Sequence, residues 1–358
     1  MKNFHCNHCE NLIFFENIVC VGCNRTLGFI APYLRMATFE SIGNERWQAP
    51  DGSPYRKCAN YAGEQVCNWM VPDGDDSPYC IACRLNAVVP DMSVPGNREH
   101  WFLMEAAKRR LIYTLLALKL PVASKAEDPG RGLSFSFLVS LPGQPVTTGH
   151  DNGHIVIDLA EADDATREKT RLQMHEPYRT LLGHFRHEIG HYYWDRLIDG
   201  SAFLEPFRAL FGDERADYRQ ALDRHYREGA PADWQTRFVS EYASMHPWED
   251  WAETWAHFLH MTDTLETAKG IGLVLQPAHP DEPVVDLQSD RRRGAIARSF
   301  DEMLEQWLPL TYALNSLTRS MGVRDAYPFV LSTPAIEKLR FVHEVVARSG
   351  ALPGHPAA

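Results

Sequence analysis

The chain has 358 residues, of which 44% are hydrophobic and 11% are aromatic, so it can bury a sizeable core, and we expect two domains. Its formal net charge of −11 at pH 7 disfavours nucleic acid and anionic lipid as partners. Since no uncharged apolar run reaches about 18 residues and the N-terminus lacks the apolar core of a signal peptide, we predict a cytoplasmic protein that does not span a membrane.

All eight cysteines precede residue 84, and clustered thiols in a reducing compartment indicate metal ligands before disulfides. Two Cys-x2-Cys pairs ten residues apart have the spacing of a structural four-thiolate zinc site, formed by Cys6, Cys9, Cys20 and Cys23. The looser second set predicts a further structural zinc, with buried free thiols as the alternative, and comprises Cys58, Cys67, Cys80 and Cys83.

The segment as far as about Pro90 is rich in turn residues, which indicates knuckles and turns around metal. We therefore predict a zinc-ribbon domain over residues 1–93, with one or two four-cysteine sites. A closed four-thiolate site leaves no coordination position for chemistry, so its role is structural or in binding. Through Asp91 the segment has seven Lys and Arg against ten Asp and Glu, a balance that favours a protein partner over nucleic acid.

The second predicted domain spans residues 97–350 and begins with a helix. Asn97 can cap this helix, its apolar positions recur at helical spacing, and Pro121 ends it. Alternating apolar residues at 133–139 and 155–159, with a turn at Asn152-Gly153, predict two or three strands, and the strand at 155–159 is a candidate edge for an extended substrate. Helical patterns dominate from Asp164 onward, so the predicted fold class is α+β, with a small sheet in a mainly helical domain.

His187-Glu188-Ile189-Gly190-His191 is an H-E-x-x-H motif inside the stretch Leu181 to Leu197, part of a predicted helix that Pro177 is placed to start. Histidines four residues apart project from one helix face, at the separation that a single zinc ion requires. Glu188 lies on the adjoining side, where its carboxylate can accept a proton from water on the metal. Such a short pattern also arises by chance, so a third ligand is needed to support the site.

An aromatic helix that begins near Pro247 supplies the candidate third ligand. Glu249 and Glu253 share one face of it, so one of them can bind metal while the other accepts a hydrogen bond from a ligand histidine. Most glutamates are exposed, which is the simpler interpretation of both. The tryptophans at 248, 251 and 255 predict a buried helix instead, and a buried carboxylate requires a metal or another partner.

These motifs resemble those of the gluzincin metallopeptidases, whose second metal-binding helix is similar to Glu249-x-x-Ala252-Glu253. In the bacterial lethal-factor type of gluzincin, a tyrosine seven residues before the ligand glutamate points at the scissile carbonyl, and Tyr242 stands seven residues before Glu249. The resemblance implies that Glu249 binds the metal, that Glu253 supports a ligand histidine and that Tyr242 donates to the oxyanion.

Over nearly its whole length, the chain resembles a bacterial family of zinc-binding metallopeptidases with an N-terminal zinc-ribbon domain. The stretches that carry this resemblance are Cys6 to Gly28, Tyr178 to Glu188, and Val239 to Ala243 running on into Trp251 and Thr254. It implies a zincin-type fold and a catalytic zinc beside one or two structural zinc ions, and it says less about the substrate.

The leading hypothesis is therefore a zinc peptidase acting on a peptide or protein, with the metal held by His187, His191 and Glu249, and with Glu188 as general base. The alternative is a zinc-ribbon module or adaptor that docks a protein partner and carries a catalytically silent zincin domain. A nucleic-acid-binding ribbon protein is a third hypothesis, which the acidic balance disfavours. We assign no site role to the neighbouring candidates His184, Asp195, Asp217, Tyr218, His257 and His260.

Overall fold

The computed structural model describes residues 3–173, 179–277, 279, 281, 284–287 and 299–350. Contacts divide these residues into two compact units, one up to Arg167 and the other from Glu168 onward. None of the helices in the described ranges combines the length and the apolar composition needed to cross a membrane.

The first unit contains both cysteine clusters, the helices α1 and α2, and most of the strands. Helix α1 covers Ala59–Ala62 and helix α2 covers Asn97–Ala117. Strands β1 to β11 are Phe4–His5, Leu12–Ile13, Thr26–Ile30, Arg35–Gly43, Arg46–Gln48, Pro54–Lys57, Met70–Pro72, Asn86–Val88, Ser134–Leu138, Gly149–Asp151 and His154–Asp158.

A five-stranded antiparallel sheet, in the order β3-β4-β5-β6-β7, follows the first set of cysteines in the sequence, and Cys58 and Cys67 of the second set lie between its last two strands. Its buried side chains include Leu27, Phe29 and Phe39, and Phe29 packs against Trp69 with ring centroids 4.6 Å apart. The turn residues of this segment predicted only knuckles and turns around metal. That interpretation was wrong because turn residues between short strands obscured their pattern.

Helix α2 buries Trp101, Met104 and Leu111, as the helical spacing predicted. The predicted cap was wrong: the helix begins after Gly96, which has a φ of 89°, and the side chain of Asn97 instead donates to the carbonyl of Asp91 at 2.8 Å. Gly96 fits this position because glycine adopts positive φ without steric cost.

The predicted strands form part of a four-stranded sheet in the order β10-β11-β9-β8. Strands β10 and β11 are an antiparallel hairpin around Asn152 and Gly153, both with positive φ, which confirms the turn. Strand β11 also pairs in parallel with β9. Since β11 is paired on both sides, the prediction that it offers a free edge to a substrate was wrong; the edge strand beside it is β10.

Helix α3, Asp164–Gln173, spans the division between the units. The second unit is mainly helical, which confirms the predicted fold class of a small four-cysteine ribbon followed by a mostly helical domain. Helices α4 to α9 are Leu181–Leu197, Leu204–Phe211, Tyr218–Glu228, Pro247–Gly270, Phe300–Ser320 and Thr333–Ser349. A short antiparallel pair, β12 at Val274–Leu275 and β13 at Val285–Asp286, completes the described elements.

Helices α4 and α7 pack together closely at Gly190. A Cβ atom on Gly190 would lie only 2.9 Å from the Cα atom of Ala252, so glycine allows this approach. Trp251 donates its indole N–H to the carbonyl of Gly190 at 2.8 Å, and Trp255 stacks on Tyr193 with ring centroids 4.9 Å apart. These contacts fix the distance between the two helices that carry the candidate site.

Helix α9 is attached to α7 by a buried ion pair. The ammonium of Lys338 lies 2.6 Å from Oδ2 of Asp250 and donates to the carbonyl of Arg237 at 3.0 Å. Both side chains are almost completely buried. Asp250 follows Glu249 in the sequence, so this pair holds the first turn of α7.

Candidate metal centre and active site

The H-E-x-x-H motif lies on α4, which confirms a helix over Leu181–Leu197, but the predicted start at Pro177 was wrong because the helix begins at Leu181. Thr180 caps it by accepting a hydrogen bond from the backbone N–H of Gly183 at 3.0 Å. His187 and His191 are buried one turn apart, and their Nε2 atoms lie 3.2 Å from each other. Two imidazole nitrogens therefore converge on one point.

Glu249 reaches the same point from the first turn of α7. Its Oε2 atom lies 3.0 Å from Nε2 of His187 and 3.5 Å from Nε2 of His191. Tetrahedral zinc with bonds of about 2.0–2.1 Å to nitrogen or oxygen places its ligand atoms about 3.3 Å apart. The three donor atoms thus have the spacing of a zinc site, and three is the number of protein ligands that a catalytic zinc takes.

Glu253 fixes the orientation of the His187 ring, as one of the two glutamates was predicted to do. Its Oε1 atom accepts from Nδ1 of His187 at 2.6 Å, and its Oε2 atom accepts from the hydroxyl of Ser240 at 2.6 Å. With Nδ1 carrying the proton, the lone pair on Nε2 of His187 points at the carboxylate of Glu249. Either a proton on Nε2 or a metal cation between the two atoms satisfies both of them.

The electrostatics of the cluster also favour positive charge at this point. Burial raises the pKa of Glu249, but His191 and His187 lower it by more, so the net pKa lies well below its usual value. Burial also raises the pKa of Glu253, but the hydrogen bond to His187 lowers it by more, and the resulting pKa is about 2. Burial lowers the pKa of His187, but both carboxylates raise it further, so the net direction is upward. Two ionised carboxylates aimed at one imidazole fit a bound cation.

Glu188 lies next to these donors and is buried. Its Oε1 atom is 3.3 Å from Nε2 of His184, and its Oε2 atom has no hydrogen-bond partner among the described residues. Burial raises its pKa, whereas His184 and His187 lower it, and the net shift is downward. The carboxylate is therefore ionised near neutral pH and retains one oxygen that can accept a proton.

Two tyrosines lie beside the cluster. Tyr242 lies in a short 3-10 turn before α7, with its ring 6.0 Å from the ring of His187. Tyr218 begins α6 and donates its hydroxyl to Oε1 of Glu249 at 2.8 Å, a contact that no sequence pattern predicted. Burial raises the pKa of both hydroxyls, so they remain protonated donors.

The other candidate histidines do not join the cluster. Nδ1 of His257 lies 2.7 Å from the hydroxyl of Tyr327, and Nδ1 of His260 lies 2.5 Å from the guanidinium of Arg186. His184 contacts Glu188 instead of the donor atoms. Asp195 lies near the C-terminal end of α4, and Asp217 caps α6 by accepting from the backbone N–H of Gln220 at 2.9 Å.

Both sets of cysteines converge as the spacing predicted, and all eight thiols are free of disulfides. In the first set, the Sγ atoms of Cys6 and Cys23 are 3.7 Å apart, and those of Cys9 and Cys20 are 3.6 Å apart. In the second set, Cys67 and Cys80 are separated by 3.8 Å. Tetrahedral zinc with bonds of about 2.3 Å to sulfur gives an edge of about 3.8 Å. The donor sets therefore fit zinc.

The second cysteine set is buried against α2. Sγ of Cys83 lies 3.8 Å from Oε2 of Glu105, whose other oxygen pairs with the ammonium of Lys108 at 2.8 Å. Arg109 is also buried and donates to the carbonyl of Val66. The charges of Glu105 and Lys108 cancel, so the buried guanidinium of Arg109 is the net positive charge beside the four thiols, where it partly offsets the negative charge of a four-thiolate zinc site.

Two closed thiolate clusters and a histidine and glutamate cluster define a zinc-binding protein. The model of the family described as "Putative zinc-binding metallo-peptidase" matches residues 97–345, more than half of the chain, so the chain belongs to this family. A second model, described as a zinc-ribbon domain, matches residues 3–94. Both matches confirm the resemblance found in the sequence.

The chain is also similar to proteins of mycobacteria. It is 46% identical over 347 residues to uncharacterized proteins of Mycobacterium bovis and of two strains of Mycobacterium tuberculosis, CDC 1551 and H37Rv. The alignment covers 97% of this chain and 95% of each relative. No solved structure matches the chain.

Proposed function

We propose that this chain is a zinc-dependent peptidase of the gluzincin type, with His187, His191 and Glu249 as the ligands of the catalytic zinc. The observation that carries the proposal is the spacing of 3.0 to 3.5 Å among the three donor atoms, next to a buried carboxylate oxygen of Glu188 that no described residue engages. A purely structural site has no need of that carboxylate.

Zinc, when bound, lowers the pKa of a water molecule to near neutrality and polarises a peptide carbonyl. Glu188 accepts the proton of the attacking water and then delivers it to the leaving amine. Tyr242 donates to the developing oxyanion, a contribution of about 3 kcal/mol for donors of this kind. Glu253 keeps the Nδ1 proton of His187 in place, so that Nε2 of the same ring stays available.

The substitution Glu188→Gln tests the role of the base. The variant keeps the size of the side chain and loses its capacity to accept a proton, so we expect full zinc content and turnover lowered by at least about 100-fold. Turnover is followed as release of fluorescent peptides from labelled casein. Glu205→Gln is the matched control, because Glu205 is an exposed residue on α5 whose partner is Arg208.

Turnover that persists in Glu188→Gln would contradict this assignment of the base. Absence of turnover in the wild-type protein over a broad set of peptides, with three zinc ions bound, would favour the alternative, a zinc-ribbon adaptor with a silent zincin domain. The two results separate the enzyme from the binding module, since only the enzyme depends on Glu188 for a measurable rate.

We further propose that residues 1–93 act as a ribbon that docks a protein partner and that residues 97–350 act as the peptidase. One zinc in each four-cysteine set is structural, which together with the catalytic ion gives three zinc ions per chain. The free, clustered thiols support a reducing location, which we take to be the cytoplasm.

A further inference from the structure

The two carboxylate oxygens of Glu249 have different partners. Oε2 faces the Nε2 atoms of His187 and His191, whereas Oε1 accepts the hydroxyl of Tyr218 at 2.8 Å. A carboxylate can otherwise rotate and present either oxygen, or both, to the imidazoles. Because Oε1 is engaged, only Oε2 is presented to the other two donors.

Both the backbone and the ring of Tyr218 are held in place by neighbouring residues. It is the first residue of α6, and Asp217 caps the helix there. Its ring packs edge to face against His246, at 5.3 Å between centroids, and against Trp248, at 6.1 Å. The ring of Trp248 in turn lies 3.9 Å from that of His191. The hydroxyl therefore approaches Glu249 from a fixed direction.

His246 joins the segment before Tyr218 to the beginning of α7. Its Nδ1 atom accepts from the backbone N–H of Trp248 at 3.1 Å, so the proton is on Nε2, which donates to the carbonyl of Ala216 at 3.0 Å. One buried imidazole thus caps the helix that carries Glu249 and fixes the chain two residues before Tyr218. Donor and acceptor are positioned by the same side chain.

Tyr218 itself is not a core residue. It is 36% exposed, so its ring contributes less burial than that of a core tyrosine such as Tyr193. Its sequence setting, Asp217-Tyr218-Arg219, contains no motif of the family resemblance. A partly exposed tyrosine whose hydroxyl reaches a buried carboxylate is better explained by the carboxylate than by packing.

We propose that Tyr218 is a positioning residue that holds Glu249 so that a single oxygen, Oε2, binds the metal, and that His246 places both residues for this contact. The inference rests on the proposed function, because it takes the cluster of His187, His191 and Glu249 to be the zinc site. It assigns Tyr218 no contact with the reacting atoms. Substitution of a residue that hydrogen-bonds to a metal ligand typically lowers metal affinity or activity about 10- to 100-fold.

The test is the affinity of the full-length protein for its third zinc. Wild type and Tyr218→Phe are dialysed against nitrilotriacetate buffers of fixed free zinc, and zinc per chain is counted by elemental analysis. Tyr218→Phe retains the ring and its contacts and loses only the hydroxyl. Tyr312→Phe makes the same atomic change at a 71% exposed residue on α8 and is the matched control.

We expect Tyr218→Phe to need about 10- to 100-fold more free zinc to fill the third site, with the circular dichroism spectrum of the protein that holds only its cysteine-bound zinc unchanged. Tyr312→Phe should follow the wild-type curve. If Tyr218→Phe fills the site at the same free zinc as wild type, or if Tyr312→Phe shifts equally, the positioning role is refuted. With a peptide substrate in hand, the same variant should lower kcat and leave KM unchanged.

The proposed function can fail in a different way. If wild type binds no zinc beyond the ions held by cysteines, or if His187→Ala leaves the third zinc in place, the cluster is not the metal site. The positioning role then falls together with the proposed function. An equal affinity in Tyr218→Phe, by contrast, refutes the positioning role and leaves the peptidase proposal intact.

Discussion

Removal of the ammonium of Lys338 tests how the structure keeps the first turn of α7 in place. In Lys338→Met, the aliphatic stem and most of the volume remain, while the charge paired with Asp250 at 2.6 Å is lost. The carbonyl of Arg237 loses its donor as well. Above its pKa, Asp250 is then an unpaired carboxylate in a fully buried site.

Breaking one partner of a buried ion pair costs about 3–5 kcal/mol, because the remaining charge has no compensation. Arg340→Met is the matched control two residues away on α9. Arg340 pairs with Asp301 at 2.6 Å, but the two side chains are 46% and 64% exposed, so its loss should cost about 0–1 kcal/mol. The predicted difference between the two variants is thus several kcal/mol in the free energy of unfolding.

Urea unfolding at pH 5 and pH 8, followed by circular dichroism, measures both variants. Burial raises the pKa of Asp250 to about 7, although Lys338 opposes the rise. A folded-state pKa above the unfolded value of about 3.9 means that stability from this group is lost as the pH rises through 7. Without Lys338, the cost should therefore be larger at pH 8 than at pH 5. Equal costs for Lys338→Met and Arg340→Met would refute the reasoning.

Two further predictions follow from the packing of α7. Gly190→Ala places a Cβ atom 2.9 Å from Cα of Ala252, and the resulting overpacking costs about 1–3 kcal/mol against a gain of about 1 kcal/mol in helix propensity. We therefore expect a lower free energy of unfolding and weaker retention of zinc on dialysis. Unchanged values of both would contradict the close approach of the two helices. Burial lowers the pKa of His257 from 6.5 to about 4, so its contribution to stability is lost as the pH falls through 4, and His257→Gln should flatten the dependence of Tm on pH between 6.5 and 4.

The sequence predicted those parts of the site that depend on local spacing. A separation of four residues on a helix fixes the relative positions of His187 and His191, and the Cys-x2-Cys pairs close in the same local way. The role of Glu249 was harder to predict, because its distance from the two histidines depends on how α7 crosses α4. The aromatic pattern of α7 and the resemblance to gluzincins nevertheless indicated it.

The parts that the sequence did not reveal depend on tertiary contacts. Tyr218 lies 31 residues before Glu249, and no spacing rule connects them. Ser240 lies within the family resemblance, but its hydrogen bond to Glu253 requires the turn before α7. The five-stranded sheet of the first unit was missed because its strands are short and separated by turn residues. Periodicity identifies faces of an element and does not identify partners.

Zinc content is the most direct test of the central claim. Elemental analysis is made on wild type, His187→Ala, Glu249→Ala and the surface control Glu205→Ala, all purified without added metal. We predict three zinc ions per chain in wild type and in the control, and two in each ligand variant. The same count in all four proteins would contradict a metal site on α4 and α7 and leave the peptidase proposal without its zinc.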